Sequence, residues 1–150
     1  TLSSSSAASD VYKRQRRSGA PITIFDSSTG FRLPDGSVLS PDASLVLQER
    51  WQALTPEERR SFPPLCPDVV VELASPSDDG PRGVTALREK MEHYRCCGAQ
   101  LGWLLLPEDR AVEIWRADSE PPERIAPADQ LTAAPLFPQL CLDLREIWQA

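Results

Sequence analysis

The strongest pattern along the chain is the near-continuous apolar run Val69-Val70-Val71-Glu72-Leu73, broken by a single carboxylate. A short β-branched run bounded by Pro67 and by Ser75-Pro76 predicts a strand buried on both faces in the middle of a sheet. Pro21 to Phe25 predicts another strand, ended by the turn cluster Asp26-Ser27-Ser28-Thr29-Gly30. Phe31-Arg32-Leu33 and Val38-Leu39 flank Pro34-Asp35-Gly36, a turn signal that predicts a hairpin. Ala43 to Leu47 reads as a further strand, and Gln48 to Leu54 as a helical turn. Thr55-Pro56-Glu57-Glu58 combines a threonine N-cap, a proline at the first helical position and a capping-box glutamate, so a short helix is expected to about Ser61. Pro63 and Pro64 end it.

Beyond the central run the period changes. The two prolines of Ser75-Pro76-Ser77-Asp78-Asp79-Gly80-Pro81 exclude a helix through that segment. From Gly83 to Cys97 the apolar positions Val84, Leu87, Met91 and Tyr94 recur at helical spacing, and Gly98 is a natural terminating residue. At about 100° per residue, Lys90 falls roughly 40° beyond Tyr94, at the edge of the apolar stripe, and can point toward a sheet. Leu101–Leu106 and Ala111–Arg116 predict a hairpin across Pro107-Glu108-Asp109-Arg110, the first strand buried and the second alternating. Glu123 to Ala126 predicts an edge strand, and Leu142 to Trp148 a closing helix. The elements alternate without an internal repeat, so the expected architecture is a single α/β domain.

Residues 1–15 are set apart. Ser5-Ser6-Ala7-Ala8-Ser9-Asp10-Val11-Tyr12-Lys13-Arg14-Gln15 looks like the in-frame translation of a transposase adapter used in making sequencing libraries, and is excluded from fold reasoning as a disordered tail. The domain is then expected over residues 16–150, truncated at its N-terminus. The formal charge of −6 argues against a protein that coats nucleic acid nonspecifically. It leaves room for an enzyme whose acidic site receives a cation before a phosphate arrives. No apolar run approaches the roughly 18 residues of a membrane helix, so no membrane partner is expected. Cys66, Cys96, Cys97 and Cys141 lack the density and spacing of a disulfide scaffold and read as reduced, buried thiols of a cytoplasmic protein.

Three residues stand out chemically. Asp42 and Glu72 lie at strand positions, and Lys90 on the helix that follows. A hard divalent cation takes carboxylates, waters and phosphate oxygens. A nearby lysine can orient or deprotonate the attacking water and offset charge on phosphorus, a task arginine cannot perform as a base. Lys90 is the only lysine after Lys13 in a chain that otherwise uses arginine, which points to a need for an ammonium. The bland alternative pairs Glu72 with an arginine at the sheet edge and leaves Lys90 solvated. His93, Cys96 and Cys97 raise zinc, but no second ligand pair of usable spacing follows. Asp78, Asp79 and Asp109 read as loop solvation. Ser44, Ser75 and Ser77 lack a histidine partner, His93 being the only one. No nucleotide-binding glycine loop is present. Trp51, Trp103, Trp115 and Trp148 are read as core or edge packing.

Several segments together carry a family resemblance: Asp26 to Gly36, Ser40-Pro41-Asp42, Cys66 to Asp78, Leu87-Arg88-Glu89-Lys90-Met91-Glu92-His93-Tyr94, Gly102 to Pro107 and Leu144 to Trp148. In that order they resemble the Uma-type putative restriction endonucleases of the PD-(D/E)XK nuclease superfamily. The resemblance implies a restriction-endonuclease-like core, a central mixed sheet flanked by helices, and Mg²⁺-dependent hydrolysis of DNA, with Mn²⁺ as a substitute. By matching motifs, Asp42 is the aspartate of the PD element and Glu72 the second acid, both as metal ligands. Ala74 stands where the superfamily usually has its lysine, and the family's displaced lysine matches Lys90. Asp68, about 13 Å from Glu72 along the strand, and Tyr94 are assigned supporting or structural roles. The resemblance also implies a helix and a strand preceding Pro21, with a further glutamate of the site on that helix. DNA is the expected substrate, and a homodimer is among the assemblies open to the chain. The reading from another class is a non-catalytic interaction or assembly module on the same fold.

Overall fold

A computed structural model describes residues 21–75 and 81–149. The adapter-like segment and most of the Ser75–Pro81 loop lie outside them. β1 (Ile22–Asp26) leads through a hairpin, β2 (Phe31–Arg32) and β3 (Val38–Leu39), to β4 (Ala43–Leu47), α1 (Gln48–Gln52) and α2 (Pro56–Arg60). Then come β5 (Val69–Leu73), α3 (Pro81–Cys96), β6 (Leu101–Leu106), β7 (Ala111–Arg116) and β8 (Ser119–Ile125). A second hairpin, β9 (Gln130–Ala133) and β10 (Phe137–Asp143), precedes α4 (Arg145–Gln149).

Six strands form one mixed sheet in the order β1-β4-β5-β6-β7-β8. β5 and β6 are parallel, joined by α3; every other pair is antiparallel. The central position of β5 explains its continuous apolar run, since both faces are covered. Ala43, Leu45, Val69, Val71, Trp103, Leu105, Val112 and Ile114 face one core, closed by β9, β10 and α4. Val46, Val70, Leu104, Leu106 and Ala111 face the other, closed by Met91 and Tyr94 of α3 and by Phe31, Leu33 and Leu65. The Thr55 capping box forms as expected, with reciprocal bonds between Thr55 and Glu58. Gly98 ends α3 at φ +114°, a backbone conformation costly for any residue with a Cβ.

Four expectations are corrected. α3 starts at Pro81 instead of Gly83, because a proline in the first helical turn loses no intrahelical bond. β7 does not alternate: Ala111, Val112, Glu113 and Ile114 are all buried, because α3 covers the face on which Glu113 lies. The C-terminal helix is shorter than Leu142–Trp148, for Leu142 and Asp143 belong to β10. The β9–β10 hairpin itself is hidden in sequence by Pro135 and Pro138, and its register shifts between Phe137 and Cys141. Finally, all four cysteines are free as expected, but only Cys66 is buried; Cys96 is exposed.

Candidate active site

The antiparallel pair β4–β5 brings two Pro-Asp dipeptides into matching positions. Pro41-Asp42 enters β4 and Pro67-Asp68 enters β5, with Ser44 opposite Val70 near the midpoint of the pairing. The Asp42 carboxylate accepts the Leu73 N–H at 2.7 Å, and the Asp68 carboxylate accepts the Leu47 N–H at 2.8 Å. Each aspartate thus extends the ladder where the chain enters its strand. The resemblance between the two ends stops there. Asp68 also pairs with Arg50 at 2.9 Å, and its carbonyl accepts the Gln100 and Leu101 N–H groups. Both of its carboxylate oxygens and its carbonyl are thus engaged by the surrounding fold.

At the other end the register places Glu72 opposite Asp42, since Ala43 faces Val71. Glu72 is only 2% exposed. One of its oxygens, Oε1, lies 3.0 Å from the Lys90 ammonium and accepts the Tyr94 hydroxyl at 3.0 Å. Lys90 and Tyr94 come from successive turns of α3, which lies over this face of the sheet. The alternative in which Glu72 pairs with an arginine and Lys90 is solvated is therefore not what forms. Burial pushes the Glu72 carboxyl up to about 7; Lys90 opposes the shift and the negative charge of Asp42 adds to it. Burial, followed by the neighbouring Glu72, also holds the Tyr94 phenol far above its ordinary range, so it remains a donor.

Asp42, Glu72, Lys90 and Tyr94 thus form one cluster, and Asp68 stands apart at the opposite end of β5. The sequence reading missed a second buried acid on the same row of the sheet. Glu72 faces Leu104, and Leu104 faces Glu113. Arg88 of α3 grips Glu113 with three contacts of 2.6–3.1 Å, and Arg124 lies 3.8 Å away. No signal in the chain marked this pair, because the expected alternation of β7 turned Glu113 toward solvent and Arg88 reads as an ordinary exposed helix residue. Two carboxylates facing each other, the buried one paired with the Lys90 ammonium, form a donor set that fits a hard divalent cation. Ser44, fully buried on the same face, has a hydroxyl without a hydrogen-bond partner among the described residues. Among the described residues, neither Ser44 nor any other serine forms a hydrolytic triad. Ser37 and Asp35 both meet His93 at the same nitrogen, Nε2, at 3.1 and 2.7 Å, whereas a relay needs the two on opposite nitrogens.

A family model, Uma2, described as "Putative restriction endonuclease", matches residues 6–145. The chain belongs to the Uma2 family. Its fold is also that of a solved structure described as a putative nuclease belonging to DUF820 from Anabaena variabilis ATCC 29413. That structure superposes with a TM-score of 0.73 at 22% identity, covering 97% of this chain and 78% of the other. A search of curated proteins gave no match. This Uma2 chain carries its buried glutamate on the central strand and its lysine on the following helix.

Proposed function

We propose that this Uma2 protein is a Mg²⁺-dependent endonuclease that hydrolyses phosphodiester bonds in DNA. The observation that carries the reading is Glu72, a buried carboxylate opposite Asp42 whose oxygen meets both Lys90 and Tyr94. A buried carboxylate is costly to ionise without a cation, and two facing carboxylates repel. Asp42 and Glu72 would hold the metal, with Mn²⁺ able to replace Mg²⁺. When bound, the cation supplies Lewis acidity toward phosphoryl oxygen and lowers the pKa of water.

The chain's own residues account for the rest of the chemistry. The Leu73 N–H fixes one oxygen of Asp42, so the carboxylate does not turn away. The Tyr94 hydroxyl fixes Glu72 from the helix side without being able to compete as a base. Lys90 is half-buried beside Glu72, where its ammonium can hold the attacking water and offset charge developing on the phosphate. Lys90→Arg keeps the charge but not the compact donor or its ability to release a proton. It is expected to lower plasmid nicking in Mg²⁺ by at least ~100-fold, the usual scale of a positioned acid or base, with an unchanged melting temperature. Nicking at the parental rate would remove Lys90 from the mechanism. Absence of nicking, together with no Mg²⁺- or Mn²⁺-induced thermal shift, would favour a non-catalytic interaction module.

A further inference from the structure

A second group of ligand-type side chains gathers at the C-terminal end of the same helix, beyond Lys90. His93 and Cys97 are four residues apart, one turn, at the C-terminal end of α3. Asp35, from the tip of the β2–β3 hairpin, meets them there. One donor atom from each of Asp35, His93 and Cys97 lies within 4.8 Å of the other two. The three come from positions too far apart in sequence to form a recognisable motif, which is why the histidine and cysteines looked isolated in the chain.

We infer that Asp35, His93 and Cys97 form a site for a borderline-soft divalent ion such as Zn²⁺, distinct from the Asp42–Glu72 pair. Bonds of about 2.0–2.3 Å to oxygen, nitrogen and sulfur in tetrahedral geometry require donor separations of about 3.2–3.6 Å. The 2.7 Å contact between His93 Nε2 and Asp35 Oδ2 needs only to open slightly for an ion to enter. Asp35 is already oriented for this role. Its other oxygen, Oδ1, accepts the Ser37 N–H at 3.0 Å and the Ser37 hydroxyl at 2.6 Å, which turns Oδ2 toward the histidine. Outer contacts that aim a ligand in this way are a regular feature of metal sites. The position also suits a cation, because the carbonyl ends of a helix of 16 residues present the negative end of its dipole. Imidazole and thiolate select zinc over magnesium. With three protein ligands, the fourth position is left for water or another group. Such an ion would clamp the β2–β3 hairpin to α3 one turn beyond Lys90.

The test uses the full chain without an affinity tag, stripped of metal and titrated with ZnCl₂ against a chromophoric chelator, and separately with CoCl₂ followed by absorption. The expected result is one zinc per chain, an upward thermal shift, and a cobalt–thiolate charge-transfer band in the near ultraviolet. His93→Ala and Cys97→Ser should each weaken zinc binding by more than the roughly 10–100-fold that follows loss of an outer contact. Asp35→Asn should also weaken it. Cys96→Ser, one residue away but directed to Glu92 at 3.5 Å, should leave it unchanged, as should the double variant Asp42→Asn, Glu72→Gln. His93→Gln replaces His93→Ala if circular dichroism shows that the latter is unfolded. The inference is overturned by no binding at micromolar zinc, by a cobalt spectrum without the thiolate band, or by binding that survives both His93 and Cys97 substitutions. Loss that follows Cys96 or the Asp42–Glu72 pair overturns it too, and a failure here leaves the nuclease reading untouched.

Discussion

Glu72 concentrates the energetic conflict of the molecule in one side chain. The carboxyl is raised from its ordinary 4.5 to about 7, first by burial and then by Asp42, with Lys90 opposing. The sign of the consequence follows from linkage. The folded chain keeps a proton at Glu72 at pH values where the unfolded chain has released it. The stability this confers is complete below about pH 4.5 and is lost as pH rises through about 7, amounting to about 3 kcal/mol at most. Glu72→Gln carries no such penalty. In urea titrations without divalent metal, the wild-type midpoint should therefore fall from about pH 5 to pH 8 relative to that of the variant, the two diverging most above neutrality. Parallel profiles would show that Glu72 ionises as an exposed glutamate does. Of this site, Asp42, Glu72 and Lys90 could be found from sequence because each is an exception to its surroundings: an acid after a proline, an acid in an apolar run, a lysine among arginines. The bond from Tyr94 to Glu72 was not legible, because a tyrosine in an apolar stripe reads the same whether or not its hydroxyl has a partner.

At the scale of elements, the two Pro-Asp strands differ in what their aspartates meet. Both aspartates accept a backbone N–H from the facing strand, but Asp68 is 4% exposed and has Arg50, whereas Asp42 faces Glu72. Asp68→Ala should cost about 2–4 kcal/mol, since it strands a buried N–H and removes the partner of Arg50. The thermal response to Mg²⁺ should survive it. Asp42→Asn keeps an acceptor for the Leu73 N–H, so it should cost little stability and abolish that response. Chemical denaturation and melting curves with millimolar Mg²⁺ distinguish the two. α3 offers a second comparison, for it carries Arg88 to Glu113 as well as Lys90 to Glu72. Arg88→Ala should destabilise by about 1–3 kcal/mol, the lower range reflecting the partial exposure of Arg88 and the nearby Arg124. Arg88→Leu with Glu113→Leu should recover most of the loss, because a buried ion pair replaced whole by apolar groups leaves no charge stranded. The helix was legible from its period, but its pairing with Glu113 was not: alternation in β7 made that residue look solvent-facing until the packing of α3 was known.

For the whole molecule, the individual strands follow from pattern where the pattern is regular, and are missed where proline interrupts it. The central β5 and the β6–β7 hairpin are long enough to declare themselves, whereas β9–β10 closes the core on the face away from α3 through Leu131, Leu140 and Leu142 despite a shifted register. That closure depends on contacts distant in sequence, which a local period does not encode. Charge is the other property that belongs to the whole. At −6, the chain has no general attraction for a polyanion, and the cluster of Asp42 and Glu72 adds local repulsion. If the substrate is DNA, binding must then be conditional on a divalent cation at that cluster. Ca²⁺, which accepts the same oxygen ligands with looser geometry, is expected to support binding without efficient cleavage. In mobility-shift titrations at fixed ionic strength, wild-type affinity for duplex DNA should be at least tenfold higher in Ca²⁺ than in EDTA, an effect of about 1.4 kcal/mol. The double variant Asp42→Asn, Glu72→Gln should bind equally in both, since neutralising the pair removes repulsion and cation affinity together. Equal wild-type binding in Ca²⁺ and EDTA would mean that DNA is held elsewhere on the surface, and the two carboxylates would lose their part in substrate recognition.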